Sequence, residues 1–517
     1  MSPVKKFTFS SLSYCGAPKH RGLAKSIATL AAGLFGVSLL ASPAVAQESG
    51  ITHQNPDYPT GPPYSSTPSA ETFKFRDLRD ELRNKMTGTY TVSSTGDLFF
   101  KVPVSQRMSP QLRDVLRNAD TTVGNLEGGM SDYPQDRAKV IADLGFDLLA
   151  PGEDDSVAGY EARAKYLAPL GIKVAGAGLT LNEARRPVFQ EVPQGLVAFL
   201  HACPGNGLCG SGATNGGDRP AKAGVNQLGL TVWNTVTQDQ FNQLKAIRDS
   251  IVARRTEPDV LVPSALPPNE PPGRLELNDQ RYMVADKPGD IHYELDPADE
   301  QAEILAVRNA KEVADFAIFH MHVHHNRHAF QHYSSDSYPP DYLQPFLHKL
   351  IDNGLDMYVG SGNHSMQGIE IYKGRPIFYN QGNMGRDLER TINSPNNPGQ
   401  LTGTERNERV YLAADWNDAS GVAYVANTTY KDGRLVEIRI YPVDIALGQK
   451  PWSRENIPQT PTPEKARIIL ERLQKVSEPF HTKISIENNI GIIRVPPEAT
   501  VEVGGDLEVP GRQPKPR

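Results

Sequence analysis

From Tyr90 onward, short apolar runs alternate with longer stretches of helical spacing, and polar loops join them. Short apolar runs bounded by turn residues read as buried strands; apolar positions three and four apart read as helices. On this pattern strands are expected at Tyr90–Ser94, Thr121–Gly124, Phe146–Ala150, Ile172–Ala175, Gly195–Ala202, Val260–Ala265, Phe316–His320 and Asp356–Gly360. Helices are expected at Glu71–Lys85, Ser109–Asn118, Asp136–Leu144, Ala158–Leu170, Gln238–Arg254, Asp299–Ala314, Pro340–Asn353 and Thr462–Val476. Gly368–Asn380 and Gly421–Val443 read as hairpins around Lys373-Gly374 and Lys431-Asp432-Gly433. Residues 203–228 read as a Gly-rich loop, Pro267–Gly289 as a Pro-rich excursion and Ser394–Glu408 as a polar insertion. Strands alternating with helices give an α/β class, with antiparallel strands added late in the chain. No repeat of fixed period interrupts it.

The first 46 residues do not fit that alternation. Lys5, Lys6, Lys19, Arg21 and Lys25 precede an apolar run, Ile27 to Ala41, and then Ala44-Val45-Ala46. This is the form of an export signal cleaved after Ala46, and it implies a periplasmic or secreted protein. Its removal takes away five positive charges and no negative one, so the net charge goes from −6 to −11. Such a chain has no broad positive field for nucleic acid. Beyond the signal no stretch has the ~18 apolar residues of a membrane span. Cys15 leaves with the signal, so Cys203 and Cys209 remain as an even pair. In an oxidising compartment they are expected to form a disulfide. Residues 47–85 read as a linker and first helix, 86–445 as the main domain, 446–494 as a helical extension and 495–517 as a disordered tail.

The candidate chemistry lies where the strands end. Asp97, Glu127, the run Glu153-Asp154-Asp155, His320, His364 and Asn383 each follow an apolar strand. In α/β proteins ligand sites form beyond the carboxyl ends of strands. Carboxylates mixed with imidazoles suit Zn, Mn or Fe, as one ion or two. Simpler readings stand beside this one. Gly96-Asp97 and His364 can be turn residues, and the acidic run can cap the helix that follows it. Six of the 13 histidines fall within residues 320–332, namely His320, His322, His324, His325, His328 and His332. In an extended segment His320, His322 and His324 share a face. A surface His-rich tract accounts for the last three, but not for His320, which directly follows Phe316-Ala317-Ile318-Phe319. The chain has no G-x-S-x-G elbow, phosphate-binding G-x-x-x-x-G-K-[ST] loop or H-E-x-x-H helix.

In this order the segments resemble the CapA family of capsule or poly-γ-glutamate synthesis proteins, relatives of calcineurin-like metallophosphoesterases. The likeness runs from Thr91 to Met384. Its clearest stretch, Gly360 to Asn383, reads GSGNHSMQGIEIYKGRPIFYNQGN and looks like the family's G-H-x-P-H … G-I-E-x-Y-x-G-x-P-I-x-Y-S-L-G-N. Asn125-Leu126-Glu127 looks like its N-x-E motif, Thr95-Gly96-Asp97 like its opening G-D, and His320-Met321-His322 like its H-x-H. Two positions depart. Ala150-Pro151-Gly152-Glu153-Asp154-Asp155 replaces A-N-N-H, and Ser361 stands for the first histidine of G-H-x-P-H. The resemblance implies a four-layer α/β sandwich with loop insertions. It implies a divalent metal on Asp97, Glu127, Asp154, His320, His322 and His364. His320, His322 and Asn125 would act on substrate, with Asn383 orienting ligands. The partners implied are an anionic surface polymer or phosphoester and the capsule synthesis machinery.

Overall fold

The strand Thr89–Asp97 lies between a parallel neighbour, Thr121–Asn125, and an antiparallel one, Val422–Lys431. It is central to an eight-stranded sheet that runs Ser485–Glu487, Ile490–Arg494, Arg434–Asp444, Val422–Lys431, Thr89–Asp97, Thr121–Asn125, Leu148–Ala150, Lys173–Val174. A seven-stranded sheet runs Ile369–Tyr372, Arg375–Phe378, Met357–Gly362, Phe316–Val323, Gly195–Pro204, Val188–Val192, with Gln227–Leu228 added to Gly195–Pro204. These elements come from a computed structural model. It describes residues 78–98, 104–127, 130, 134–152, 156–205, 210–255, 271–325, 327, 338–385, 422–445, 457–501 and 503. All of them belong to one unit, Phe75–Arg517.

Side-chain alternation explains how the sheets stack. Val92, Val123, Leu148 and Ala150 of the first sheet meet Val197, Phe199, Phe316, Ile318, Met357 and Val359 of the second. The opposite face of the first sheet is covered by Leu112, Leu116, Ala138 and Ile141 of the helices Pro110–Arg117 and Pro134–Asp143. The opposite face of the second meets Val307, Ala310, Phe346 and Leu350 of Pro297–Val313 and Leu343–Asp352. The result is the four-layer α/β sandwich that the family resemblance implies. Both faces of the central parallel strands are buried, so their sequences read as continuous apolar runs. Each Val, Leu, Ile or Phe in these layers is worth about 1.5–3 kcal/mol by burial.

Three differences from the sequence reading matter. First, Phe316–Val323 extends through the histidines instead of stopping at His320. Its inward row, Phe316 and Ile318, therefore continues as His320 and His322. Second, the stretch read as an excursion contains Arg274–Leu277 and Gln280–Val284. With Leu230–Val236 and Ile291–Leu295 these make a separate four-stranded sheet. That sheet grips the histidine segment, because Ile291 donates to the Arg327 carbonyl at 3.0 Å and Tyr293 packs on His325. Third, the helix Pro463–Ser477 is followed by the hairpin that edges the first sheet, then by a short 3₁₀ turn at Pro497–Ala499 and a buried Val503. The chain is thus still ordered beyond Val495. The signal segment, Val260–Ala265, Ser394–Glu408, Asp154, Cys209, His328 and His332 lie outside the described residues. Cys203 is buried. No helix among the described residues is long and apolar enough to cross a membrane.

Candidate metal centre

Asp97 ends the first strand at an irregularity in its pairing with Thr121–Asn125. Gly96 allows this. A Cβ there would lie 2.0 Å from the Gly382 carbonyl oxygen, so only glycine lets the two backbones meet. Asp97 then donates its N–H to that carbonyl, and the Met384 N–H donates to the Asp97 carbonyl. The segment Gly382–Met384 is in this way fastened to the strand that carries the acid. The Asp97 carboxylate is fully buried and accepts from Asn125 Nδ2 at 2.7 Å and from the Gly362 N–H at 3.1 Å.

Asn125 is the hub. The Gly152 N–H donates to its Oδ1, which turns Nδ2 toward the acids. Nδ2 lies 2.7 Å from Asp97 Oδ1, 3.0 Å from Glu127 Oε2 and 2.9 Å from His322 Nδ1. An amide carries two N–H protons, so three such neighbours exceed what it can satisfy. Two carboxylates and an imidazole are drawn around one point. Buried Arg137 holds Glu127 by donating from Nη2 to its carbonyl at 2.7 Å.

The histidines arrive from the second sheet. His322 Nε2 is 2.8 Å from His324 Nε2 and 3.5 Å from Glu127 Oε2, and its Nδ1 is 3.1 Å from Ser361 Oγ. His364 has φ +54, a conformation that costs a non-glycine residue about 1–3 kcal/mol and that gathers at functional sites. Its Nδ1 lies 2.9 Å from Asn383 Oδ1 and 3.4 Å from Asp97 Oδ2. Burial alone would raise the Asp97 carboxyl. The hydrogen bond from His364, the charges of His322 and His364 and the bond from Asn125 outweigh it, holding Asp97 well below the usual carboxylate range. Deeper in, His320 Nδ1 meets His201 Nδ1 at 2.9 Å. Burial, and after it the neighbouring imidazole charge, lowers His201 to about 3 and drives His320 well below its ordinary value, so both are neutral.

The donor set fits a divalent cation. Asp97, Glu127 and His322 present ligand atoms within 4.8 Å of one another, and so do Glu127, His324 and His364. Glu127 belongs to both groups, which is the arrangement two adjacent cations need. Of the expected ligands, the structure brings together Asp97, Glu127, His322 and His364, with Asn125 among them. His320 stands behind them, paired with His201. His324, the residue after the end of Phe316–Val323, joins the cluster with its Nε2 2.8 Å from that of His322. Its shared face with His322 was legible in the spacing, whereas its role as a ligand was not read from it. His201 and Arg137 are not singled out by the sequence: His201 offers the signal of a lone polar residue late in an apolar run, and Arg137, in the polar start of Pro134–Asp143, offers none.

The family comparison agrees with this geometry. The model of the bacterial capsule synthesis protein family PGA_cap matches residues 91–387. An uncharacterized protein of Sinorhizobium fredii, y4sH, is 28% identical over 469 residues, covering 83% of this chain and 98% of that one. A probable polyglutamine synthesis accessory protein of Mycobacterium tuberculosis is 36% identical over 110 residues, 20% of this chain and 26% of that one. Among solved structures, a hypothetical protein of Thermus thermophilus matches with TM-score 0.30 and 12% identity over 68% of this chain and 99% of that one. A putative 5′-nucleotidase of Staphylococcus aureus matches with TM-score 0.30 and 9% identity over 67% of this chain and 52% of that one. The family match spans more than half of the 517 residues and holds Asp97, Asn125, Glu127, the histidine strand and His364, so the chain belongs to the bacterial capsule synthesis protein family PGA_cap.

Proposed function

We propose that this chain is an exported protein that serves the synthesis or release of an anionic surface polymer through a metal-dependent hydrolytic site. The observation that carries the reading is the convergence of Asp97, Glu127 and His322 on the Asn125 amide, with His324 and His364 grouped about Glu127. Mn, Zn or Fe bound there would polarise a phosphoryl or carbonyl oxygen and supply hydroxide near neutral pH. The chain's own residues divide the remaining work. Asn125 orients both acids, Asn383 fixes the His364 ring, and Ser361 and Asn125 fix His322. A polymer of phosphoesters or of γ-linked glutamates is anionic, and the expected mature charge of −11 repels it at long range. The cation then supplies the local positive charge that lets such a chain approach.

A non-catalytic, polymer-binding subunit is the second reading. One observation favours it: Ser361, where the family motif has a histidine, is occupied in a hydrogen bond with His322. The test is metal content of the untagged mature protein beside His322→Ala/His364→Ala, followed by hydrolysis of a chromogenic phosphodiester. Stoichiometric metal that is lost in the double variant, with hydrolysis lost alongside, supports the first reading. Metal without hydrolysis supports the second. Absence of metal in the wild-type protein overturns the site.

A further inference from the structure

Two strand ends carry the acids of the proposed centre, and one buried cation lies across both. Arg137 is only 1% exposed. It stands on the packed face of Pro134–Asp143, one turn before Val140 and Ile141, which belong to the same apolar cluster as Leu98, Leu126 and Met130. Residues three and four apart share a helix face, so Arg137 occupies a position where leucine would pack well. A guanidinium placed there must be drawn out of water at a substantial desolvation cost. Packing therefore does not account for it.

Its partners do. The parallel pairing of Thr89–Asp97 with Thr121–Asn125 ends at Asp97 opposite Asn125. One more backbone bond follows, from the Leu98 N–H to the Asn125 carbonyl at 2.8 Å. The second strand then turns, and the Glu127 N–H bends back to that same carbonyl at 3.0 Å. At this point Arg137 Nη2 reaches both chains. It lies 2.7 Å from the Glu127 carbonyl oxygen and 3.4 Å from that of Leu98. Nη2 carries two N–H groups, one for each carbonyl. The side chain thus supplies a rung, one bond short and one long, just past the last rung of the backbone. The rung joins Glu127 to the residue after Asp97.

Both acids are buried and both face the Asn125 amide. Like charges so placed repel, and that amide restrains only their side chains. Glu127 also belongs to both ligand groups, so a shift of its backbone displaces a ligand of each. We propose that Arg137 is a positioning residue for this shared acid. It clamps the Leu98 and Glu127 carbonyls, and so holds Asp97 and Glu127 at their ligating separation before any cation arrives. It acts through these two backbones and not as a ligand. The inference rests on the metal-dependent reading above. Loss of a partner that orients a ligand weakens metal binding roughly 10–100-fold.

The test is Zn²⁺ affinity by chelator competition, beside the melting midpoint of the metal-free protein. Arg137→Met keeps an unbranched apolar chain and removes both donors. Arg137→Lys keeps the charge and a donor. Val140→Ala loosens the same helix without removing either bond, and so measures a merely structural effect. The expected result is a roughly 10–100-fold loss in Arg137→Met, partial recovery in Arg137→Lys, and wild-type affinity in Val140→Ala although its midpoint falls. Wild-type affinity in Arg137→Met, while His322→Ala loses the metal, overturns the proposal and leaves the centre standing. Equal losses in Val140→Ala and Arg137→Met overturn it as well. If Arg137→Met does not fold, Arg137→Gln, too short to span the two carbonyls, carries the same test, and wild-type affinity there overturns it. A wild-type protein without metal overturns both the centre and this inference.

Discussion

Asp97 and Glu303 are both carboxyls with no exposure to solvent, yet the fold moves them in opposite directions. Asp97 receives Asn125 and the Gly362 N–H, and two imidazoles stand nearby. Glu303 receives Asn226 at 2.9 Å and has Arg185 at 3.6 Å, but its Oε2 has no partner. Burial pushes Glu303 up to about 7, and Asn226 and Arg185 offset only part of that while Asp299 adds to it. Burial is equal at the two positions. The number of donors and cations facing each oxygen is not, and it decides which acid stays ionised. The acid held ionised is the one placed for a cation. The acid left half-satisfied lies on Pro297–Val313, the helix that backs the second sheet.

The largest effect should come from removing the ionised acid. Asp97→Ala should weaken Mn or Zn binding by more than ~100-fold, because losing an outer partner alone costs up to that much. Isothermal titration reads it, and near-wild-type affinity would mean that the cluster does not hold the cation. Next is the hub. Asn125→Leu leaves two buried carboxylates without their shared donor, which should destabilise the metal-free protein by about 3–5 kcal/mol. Denaturant unfolding with and without Mn should show a smaller deficit with the ion, since the cation takes over from the amide.

Glu303 gives the opposite sign. Its folded value lies above the ordinary one of 4.5, so the folded state holds the proton more tightly. Stability is then greatest below about pH 4.5, falls as pH rises toward 7 and is level beyond. The total is on the order of 3 kcal/mol. Glu303→Gln should flatten that slope and be the more stable form at pH 8. Equal wild-type-minus-variant differences at pH 5 and pH 8 would remove the contrast with Asp97. The smallest effect should be at the exposed pair Arg494 and Glu487. Arg494→Ala should leave the unfolding midpoint where it is, because exposed ion pairs are screened and mobile.

The sequence carried the acids and most of the imidazoles because each ends an apolar run, and strand ends are where such sites form. The alternation of strands and helices carried the α/β class, while the four-layer order came only from the family resemblance. The sequence did not carry His201. That residue meets His320 only because Gly195–Pro204 and Phe316–Val323 are neighbours in a sheet whose order does not follow the chain. A pairing between segments more than a hundred residues apart leaves no local period to read. The accessory sheet was missed for a different reason. Arg274–Leu277 and Gln280–Val284 are short, charged and half-exposed, set in a Pro-rich stretch, and their strand character comes from pairing with each other and, for Gln280–Val284, with Leu230–Val236, rather than from their composition. His364 was legible as a residue, while its positive φ was not, because the loop from Gly362 to Ser365 imposes it.

The strand that carries Asp97 has a late partner. Thr89 pairs with Lys431, and the Gly88 N–H is met by a side chain 344 residues further on, that of Asp432. During synthesis one side of this strand therefore stays an open edge until almost the whole chain has been made. Asp97 also waits for His364 and for Gly382 to reach it. The centre is among the last parts of the molecule to come into being, and no early fragment of the chain carries it. Long-range closure of this kind slows folding and leaves edges exposed meanwhile. A premature stop before Val422 would thus abolish metal uptake although every ligand had been translated.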